Sequence, residues 1–351
     1  LASLKLLGDM LNFYRKYWRV SVDKLYEDAL RMVKRPEERL ALAAIEALGR
    51  DMLEAAICFS ESASAINPEV KYRVEYLSFL IKGGRIEQAR QFLEALGVQF
   101  PGNQSISDEQ FACSVAEKFW ACDYYDLLAE IHTRHTPNVY LEIGVATGKS
   151  MALVKQSTTA VGIDPSTAAR EMLAYLSPEN NPQFYRMTSD DFFANQDVEK
   201  AMSKRHFDVA FIDGLHHFDQ VLRDFINLEK FAGPNSLILI HDCLPIDRRV
   251  ATKERATLFW TGDVWRIIPC LQTVRPDLEI VTLPLPPSGL ALVRRMNPAS
   301  TVLSRHYSDI VEEFEKMGLP ESWEDRCKLL AVNCDQSAFR VDHFFPKGGW
   351  P

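Results

Sequence analysis

The chain has 351 residues, of which 47% are apolar and 25% are charged. This balance is typical of a folded globular protein and excludes a long disordered chain, while the length favours two domains over one. The formal charge of −8, from 40 basic and 48 acidic side chains, would repel a phosphate backbone. We therefore do not expect nucleic acid as a partner.

Neither a membrane segment nor a cysteine-based site is expected. No apolar run reaches the roughly 18 residues that a membrane-spanning helix needs, and the apolar start Leu1 to Met10 lacks both a basic beginning and a cleavage site. The seven cysteines show no C-x-x-C spacing. Their odd number and wide gaps indicate buried thiols in a reducing compartment, so the predicted location is the cytoplasm.

Residues 1–105 are predicted to form an all-α domain. Apolar side chains recur there at three- and four-residue spacing, at Leu40, Ala43, Ala44 and Leu48 and again at Val74, Leu77, Leu80 and Ile81. A weak repeat places Pro68 and Pro101 33 residues apart, close to the tetratricopeptide period of about 34. The pattern predicts two degenerate tetratricopeptide-like hairpins, either a docking surface for a protein partner or homodimer mate, or a packed helical extension. The polar run 101–108 is predicted to be a linker or long turn.

From Asn138 onward, short β-rich runs alternate with helical segments, which predicts an α/β domain at 106–296. Seven strands are predicted, at Val139–Ile143, Ala160–Ile163, Gln183–Met187, Asp208–Ile212, Leu237–Ile240, Glu279–Leu283 and Leu290–Val293. The last two are too close in sequence for a crossover helix, so that pair should be antiparallel. The fold prediction is a Rossmann-like, mostly parallel seven-stranded sheet with an antiparallel last strand, followed by a helical extension at 297–351.

The turn after the first strand has the residues of a cofactor loop. Glu142, Gly144, Gly148 and Ser150 follow one another there, and glycines at a strand-to-helix turn let a ligand approach the backbone and the helix N–H groups. The order is not the G-x-G-x-x-G of a dinucleotide site, and Gly144 is one residue too close to Gly148 for a Walker loop. The pattern resembles the first motif of class I S-adenosylmethionine (SAM)-dependent methyltransferases.

Two further segments fit the same resemblance. Asp164 ends the second strand, 22 residues after Glu142, where an acidic side chain accepts hydrogen bonds from ribose hydroxyls. Ser189 and Asp190 follow the third strand, where polar residues of the family reach the adenine amino group. The resemblance implies that SAM is the cofactor and that these residues, together with Asp213 after the fourth strand, bind it.

Acidic and imidazole side chains end two neighbouring strands. Asp213 and His216 follow the fourth strand, and His241 and Asp242 end the fifth. Because the carboxyl ends of strands in an open α/β sheet form the ligand crevice, we expect these four side chains at one mouth.

Together with Asp263, these residues resemble a bacterial subfamily related to cephalosporin hydroxylases and macrocin-type sugar O-methyltransferases. The resemblance covers roughly residues 110–295. It implies a divalent ion on Asp213 and on the pair His241–Asp242, with His216 as the catalytic base and Asp213 beside it.

The chain departs from the subfamily at His241, which stands where a carboxylate is usual. Mg²⁺ prefers oxygen ligands, so the change favours Mn²⁺ or Zn²⁺ over Mg²⁺. A metal-free site, in which His216 alone removes the proton, stays open beside the metal-bound one.

The primary functional prediction is O-methylation of a hydroxyl on a small molecule, such as a sugar, a nucleotide-sugar or a natural-product intermediate. The alternatives are N-methylation, methylation of a peptide or protein recruited by the helical domain, a scaffold that binds the cofactor without turnover, and an oxidative reaction. The long segment 243–275 is interpreted as an acceptor-binding lid. Its basic run is interpreted either as a phosphate site or as a solvated helix face.

Overall fold

The computed structural model of the chain describes residues 34–49, 53–165, 182–204, 206–257 and 259–345. The predicted absence of a leader concerns residues 1–10, which lie outside the described residues. The chain divides into two compact units, one up to Glu117 with the segment Arg255–Trp260, and one comprising the remainder. Within the described ranges, no helix combines the length and apolar character that crossing a membrane requires.

The first unit is helical, as predicted. Its α-helices are α1 (Pro36–Gly49), α2 (Leu53–Ile66), α3 (Val70–Lys82), α4 (Ile86–Gln99) and α5 (Gln104–Ala116). Successive helices pack against one another. The apolar spacing that predicted them places Ala44, Leu77 and Leu80 in the interior, fully buried.

The polar run 101–108 is not a linker, because α5 begins inside it. Asn103 is the N-cap of α5, and its side chain accepts a hydrogen bond from the N–H of Ile106. Asparagine favours this position because its side-chain oxygen satisfies an N–H that the helix leaves unpaired. Since α5 packs on α3 and α4, it belongs to the first of the two units, which extends to Glu117.

The second unit contains a seven-stranded sheet in the order β3-β2-β1-β4-β5-β7-β6. The strands are β1 (Val139–Ile143), β2 (Thr159–Ile163), β3 (Gln183–Tyr185), β4 (Phe207–Ile212), β5 (Ala232–His241), β6 (Glu279–Leu283) and β7 (Leu290–Arg294). The first five pair in parallel, whereas β7 is antiparallel to both β5 and β6. The predicted fold class is therefore confirmed.

Helices and short 3-10 or π turns cover the sheet. They are α6 (Tyr124–Glu130), a π turn (Ile131–His135), α7 (Ser189–Asn195), α8 (Val198–Met202), α9 (Phe218–Glu229), α10 (Ile267–Val274), α11 (Val302–Arg305), α12 (Tyr307–Glu315) and α13 (Trp323–Leu329), with 3-10 turns at Met151–Leu153, Val264–Arg266 and Val341–Phe344. Apolar clusters cover both faces of the sheet. This is why β1 and β4 are buried at every position and are apolar except at Glu142 and Asp208.

The described part of the C-terminal segment belongs to the α/β unit. Leu303, Ile310, Phe314 and Leu330 are buried in the same cluster as the helices of one sheet face. A short bridge also joins the segment to the edge strand β6, where Thr282 pairs in parallel with a residue after α13. These residues of the segment thus contribute to the core of the α/β unit.

Candidate active site

The turns after β1 and β4 are joined at the carboxyl edge of the sheet. The N–H of Asp213 donates to the carbonyl of Ile143, and the N–H of Gly144 donates to the carbonyl of Ile163, both at 2.8 Å. Gly144 has a φ of +89°, and a β-carbon there would lie 2.1 Å from the carbonyl oxygen of Asp213. Glycine at 144 is therefore required both by its backbone conformation and by the contact between the two turns.

The glycine turn does not lead into an α-helix. Between β1 and β2, all of whose residues are described, the regular structure after the turn is the 3-10 turn Met151–Leu153. The expectation that helix N–H groups would face the ligand is wrong for this reason. Any ligand at this edge of the sheet meets the turn itself, in which Ala146 and Gly148 also have positive φ values of 45° and 78°.

Glu142 and Ser150 tie the two ends of this turn together. Glu142 is fully buried and accepts hydrogen bonds from the hydroxyls of Ser150 and Tyr140. Burial raises the pKa of Glu142 to about 8, against the opposing effect of these two hydrogen bonds. Both residues were predicted to bind the cofactor; the contacts of Glu142 are with the framework of the turn.

Asp164 lies beside the glycine turn, at the tip of β2. Its side chain is buried, and Oδ2 accepts a hydrogen bond of 2.8 Å from the N–H of Ala146. The acidic strand tip and the glycine turn are therefore neighbours, as their spacing in the sequence predicts.

Ser189 and Asp190 begin α7 and face α9. The hydroxyl of Ser189 donates to Asp224 at 2.6 Å, and the amide of Gln220 donates to Asp190 at 3.3 Å. Arg223 Nε lies 3.3 Å from Asp190 Oδ2. Burial raises the pKa of Asp224 to about 7. The predicted adenine-side residues are thus held by a polar network from the helix that follows His216.

The four predicted side chains at the tips of β4 and β5 are brought together. His216 Nδ1 lies 2.9 Å from Asp242 Oδ2, and His216 Nε2 lies 3.6 Å from Asp213 Oδ1. His241 Nδ1 lies 3.1 Å from the same Asp213 oxygen. Asp242 has a φ of +61°, a left-handed backbone conformation that is uncommon for residues other than glycine.

The carboxylates and imidazoles control one another's protonation. Burial disfavours a charge on His216, but Asp242 and Asp213 outweigh it and raise the pKa of His216 to about 10. Burial likewise disfavours the charge of Asp213, and His241 and His216 outweigh it and hold its pKa well below the ordinary value. Without a cation, His216 is therefore protonated at neutral pH.

His241 was predicted to share a divalent ion with Asp213 and Asp242, and its Nδ1 lies 3.1 Å and 3.5 Å from their carboxylates. Its Nε2 lies 3.4 Å from the hydroxyl of Ser288, its Nδ1 faces Asp213, and its ring centroid lies 4.2 Å from that of Tyr124. Both ring nitrogens thus have protein neighbours. The potential ligand atoms that lie within 4.8 Å of one another belong instead to Asp213, His216 and Asp242.

Tyr124 and Ser288 were missed by the sequence reasoning. Asp123 is the N-cap of α6 and forms a capping box. This local pattern indicates the start of the helix, whose first residue is Tyr124. No local signal indicates that Tyr124 would lie against the tip of β5. Ser288 lies in the short connection between β6 and β7, where composition indicates only a turn.

Residues 141–243 match a family model described as a methyltransferase domain. The chain carries a methyltransferase domain. The match spans the glycine turn and the tips of β4 and β5. Together with the strand order, it confirms the prediction of a class I, SAM-dependent methyltransferase.

The methyltransferase is also similar to solved structures at low identity. The O-methyltransferase TomG from Streptomyces achromogenes, in complex with SAM, is 15% identical over 48% of this chain and 78% of its own, with a TM-score of 0.37. An O-methyltransferase from Bacillus cereus, in complex with SAH, is 15% identical over 59% and 98%, with a TM-score of 0.38. The SAH-bound methyltransferase PaMTH1 from Podospora anserina is 15% identical over 53% and 86%, with a TM-score of 0.40. No functionally curated protein matches the chain. Because these TM-scores are low, the fold assignment rests on the strand order itself.

The basic run of the methyltransferase after β5 is largely paired with carboxylates. Arg248 lies 2.7 Å from Glu321, and Lys253 lies 3.0 Å from Asp219. Arg249 is paired with Asp247 in the same way. These contacts argue against a phosphate site. The run does not lie on a helix face either, because the described residues between β5 and Val264 form no helix.

Proposed function

We propose that the methyltransferase transfers the methyl group of SAM to a hydroxyl of a small-molecule acceptor and that His216 takes the hydroxyl proton. The observation that carries the proposal is the direct contact between the glycine turn at Gly144 and the turn that bears Asp213 and His216. It would bring a cofactor on the first turn and an acceptor near the second to one edge of the sheet.

The residues at the first turn fit SAM. The turn Gly144–Gly148 is sharply folded, with positive φ values at Gly144, Ala146 and Gly148, and Asp164 is next to it for the ribose hydroxyls. When bound, SAM supplies a methyl group that is already electrophilic. What the chain must supply is an oxygen lone pair in line with the carbon–sulfur bond, and close placement of the two reactants.

A hydroxyl acceptor explains the cluster of bases and acids. Aliphatic hydroxyls are less acidic than tyrosine, whose pKa is about 10, so proton removal by a positioned base is worth roughly 10²–10⁴ in rate. Asp242 lies on the Nδ1 side of His216, so in the neutral form of the ring Nε2, which lies 3.6 Å from Asp213 Oδ1, is the nitrogen that would accept that proton. In the transfer, the new oxygen–carbon bond forms as the sulfur–carbon bond breaks, the proton passes to His216, and S-adenosylhomocysteine leaves.

The clustered ligand atoms of Asp213, His216 and Asp242 favour a second arrangement of the same reaction. These three residues would hold a divalent cation, whose chemistry there is to lower the pKa of a bound hydroxyl. One nitrogen and two carboxylates suit Mn²⁺ or Zn²⁺ better than Mg²⁺. In this arrangement His216 would be a ligand, and the cation would replace the proton that the two carboxylates otherwise stabilise on its ring.

The test is release of S-adenosylhomocysteine from SAM with a panel of hydroxyl-bearing small molecules, with and without a chelator. We expect turnover with a hydroxyl acceptor, and its loss in His216→Asn but not in the matched control His217→Asn. Loss of activity with chelator and its return with Mn²⁺ would select the cation arrangement. Methyl transfer only to amines or peptides would contradict the proposal.

A further inference from the structure

We infer that Gly262 and Asp263, in the segment between β5 and α10, form a turn that positions His216. The inference rests on the proposed role of His216 at the reacting oxygen. Gly262 has a φ of +63°, and a β-carbon there would lie 1.6 Å from the carbonyl oxygen of His216. The Gly262–Asp263 turn therefore presses directly against the backbone of the catalytic histidine, and a larger residue would displace it.

Asp263 holds the same backbone at two points. Its N–H donates to the carbonyl of His216 at 3.3 Å, and its Oδ1 accepts from the N–H of Phe218 at 2.8 Å. Phe218 is the first residue of α9, whose N-cap His217 makes no side-chain capping hydrogen bond. A carboxylate distant in sequence thus supplies the cap, and the backbone is fixed at His216 and at Phe218, two residues after it.

The Gly262–Asp263 turn is itself anchored. Asp263 is 1% exposed, and its Oδ2 lies 3.0 Å from Arg266 Nη1. Arg266 Nη2 also donates to the carbonyl of Met317, and the N–H of Thr261 donates to the carbonyl of Val250, both at 3.0 Å. The support for His216 thus belongs to the packed interior of the unit, as a preorganised catalytic side chain requires.

Within the long segment after β5, the Gly262–Asp263 turn therefore has a different role from the predicted one. Sequence reasoning interpreted the segment as an acceptor lid, whereas its Gly262–Asp263 part touches the backbone of His216. Releasing this contact would let His216 move away from Asp242, now 2.9 Å from it, without touching Asp164 or the glycine turn. We therefore expect turnover to fall while cofactor affinity is retained, since a displacement of about 1 Å can cost about 10² in rate.

The matched pair of variants is Asp263→Ala and Asp263→Asn. Asparagine keeps an oxygen that accepts from the N–H of Phe218, whereas alanine removes it. For Asp263→Ala we expect kcat to fall at least about tenfold, with the affinity for S-adenosylhomocysteine by calorimetry within about twofold of wild type. Asp263→Asn should restore most of kcat. Unchanged kcat in Asp263→Ala, or a matching loss of cofactor affinity, would overturn the inference.

A double-mutant cycle separates this inference from the proposed function. If Asp263 acts through His216, Asp263→Ala should add little to the defect of His216→Asn, because the histidine it positions is already gone. Full activity of His216→Asn would refute the proposed function. If His216→Asn is impaired and adding Asp263→Ala lowers its kcat by the same factor as in wild type, only the positioning role is refuted. If Asp263→Ala does not fold, Gly262→Ala is measured in the same cycle, with the same two outcomes.

A pair of thiols in the C-terminal segment carries a second, independent inference. Cys327 in α13 and Cys334 beyond it have their Sγ atoms 3.2 Å apart. The chain between them is already folded back, since the N–H of Val332 donates to the carbonyl of Cys327 at 2.9 Å. We propose that the pair forms a disulfide with a disulfide oxidant such as oxidised glutathione: one sulfur–sulfur bond forms, the oxidant's bond breaks, and both cysteine protons pass to the two released thiols.

The test uses the full chain incubated with oxidised glutathione and analysed by peptide mass spectrometry. We expect one peptide crosslink between Cys327 and Cys334 with the loss of two hydrogens. In Cys327→Ser a glutathione adduct on Cys334 should accumulate instead, while Cys58→Ser, at an exposed thiol of the other unit, should leave the crosslink unchanged. Stable glutathione adducts on both wild-type cysteines without the crosslink would refute the proposal.

Discussion

His216 is the residue whose surroundings make the sharpest chemical prediction. Two carboxylates face it, and they raise its pKa to about 10. A base must be unprotonated before it can accept a proton, so in the metal-free arrangement only a minor fraction of the protein is active at neutral pH.

With chelator present, we predict that kcat/KM rises with pH towards about 10, because the neutral form of His216 becomes more populated. Asp242→Asn removes the charge that lies 2.9 Å from His216 Nδ1 and should move the rise to lower pH. The measurement is the pH–rate profile of both proteins. A flat profile in chelator, or a profile that Asp242→Asn leaves in place, would exclude His216 as the base.

Arg326 in α13 shows how an element remote in sequence supports the site. Its guanidinium is fully buried and donates to the carbonyls of Pro245 and Ile246, just after β5, and to that of Pro320. The described C-terminal segment, for which the sequence indicated no role, thus holds the loop that follows Asp242.

Arg326→Ala would leave these carbonyls without their donor, and each lost partner in a buried place costs about 1–3 kcal/mol. We expect the free energy of unfolding to fall by about 3 kcal/mol or more in urea titrations. Lys328→Ala, on the exposed side of the same helix, is the control and should change it by less than about 0.5 kcal/mol. Equal effects of the two substitutions would contradict the assigned role.

The elements themselves could be predicted to very different degrees. The bounds of β1 and β6 agree with the sequence prediction. β1 is packed on both faces and β6 is joined to β7 by a short connection, and both features leave a clear pattern in the sequence. β5 begins at Ala232, five residues before its predicted start at Leu237. The prediction missed these five residues because they do not form an apolar run. Helix α5 was missed because its first residues are polar, and the capping asparagine was taken for part of a linker.

The site was predictable in its members but not in its contacts. Asp213, His216, His241 and Asp242 follow from the rule that neighbouring strand tips share an edge. The partners that fix their roles, Tyr124, Ser288 and Asp263, come from elsewhere in the chain. Asp263 was noticed only as part of a family pattern, and its contact with the backbone of His216 depends on tertiary packing that no local spacing encodes.

At the scale of the whole molecule, stability should depend on a buried histidine that has no part in the proposed reaction. His132 is fully buried against Tyr140, and neither ring nitrogen has a hydrogen-bond partner among the described residues. Burial lowers the pKa of His132 to about 4, below its ordinary value of 6.5. The stability linked to this neutral ring is present above pH 6.5 and is lost as the pH falls through about 4, by about 3 kcal/mol in total.

His132→Phe removes this ionisation, so the variant should lose less stability than wild type between pH 7 and pH 4. Urea titrations across that range measure the difference, with the exposed His343→Phe as control. A variant whose stability falls with pH as steeply as that of wild type would show that His132 does not contribute to acid unfolding.

Calorimetric titration of the full chain with SAM tests the central claim most directly. We predict one binding event, weakened about tenfold or more by Asp164→Asn, which can no longer offer a charged acceptor to the ribose hydroxyls, and changed little by His216→Asn. Absence of binding heat, or an affinity that Asp164→Asn leaves unchanged, would contradict the placement of the cofactor at the glycine turn.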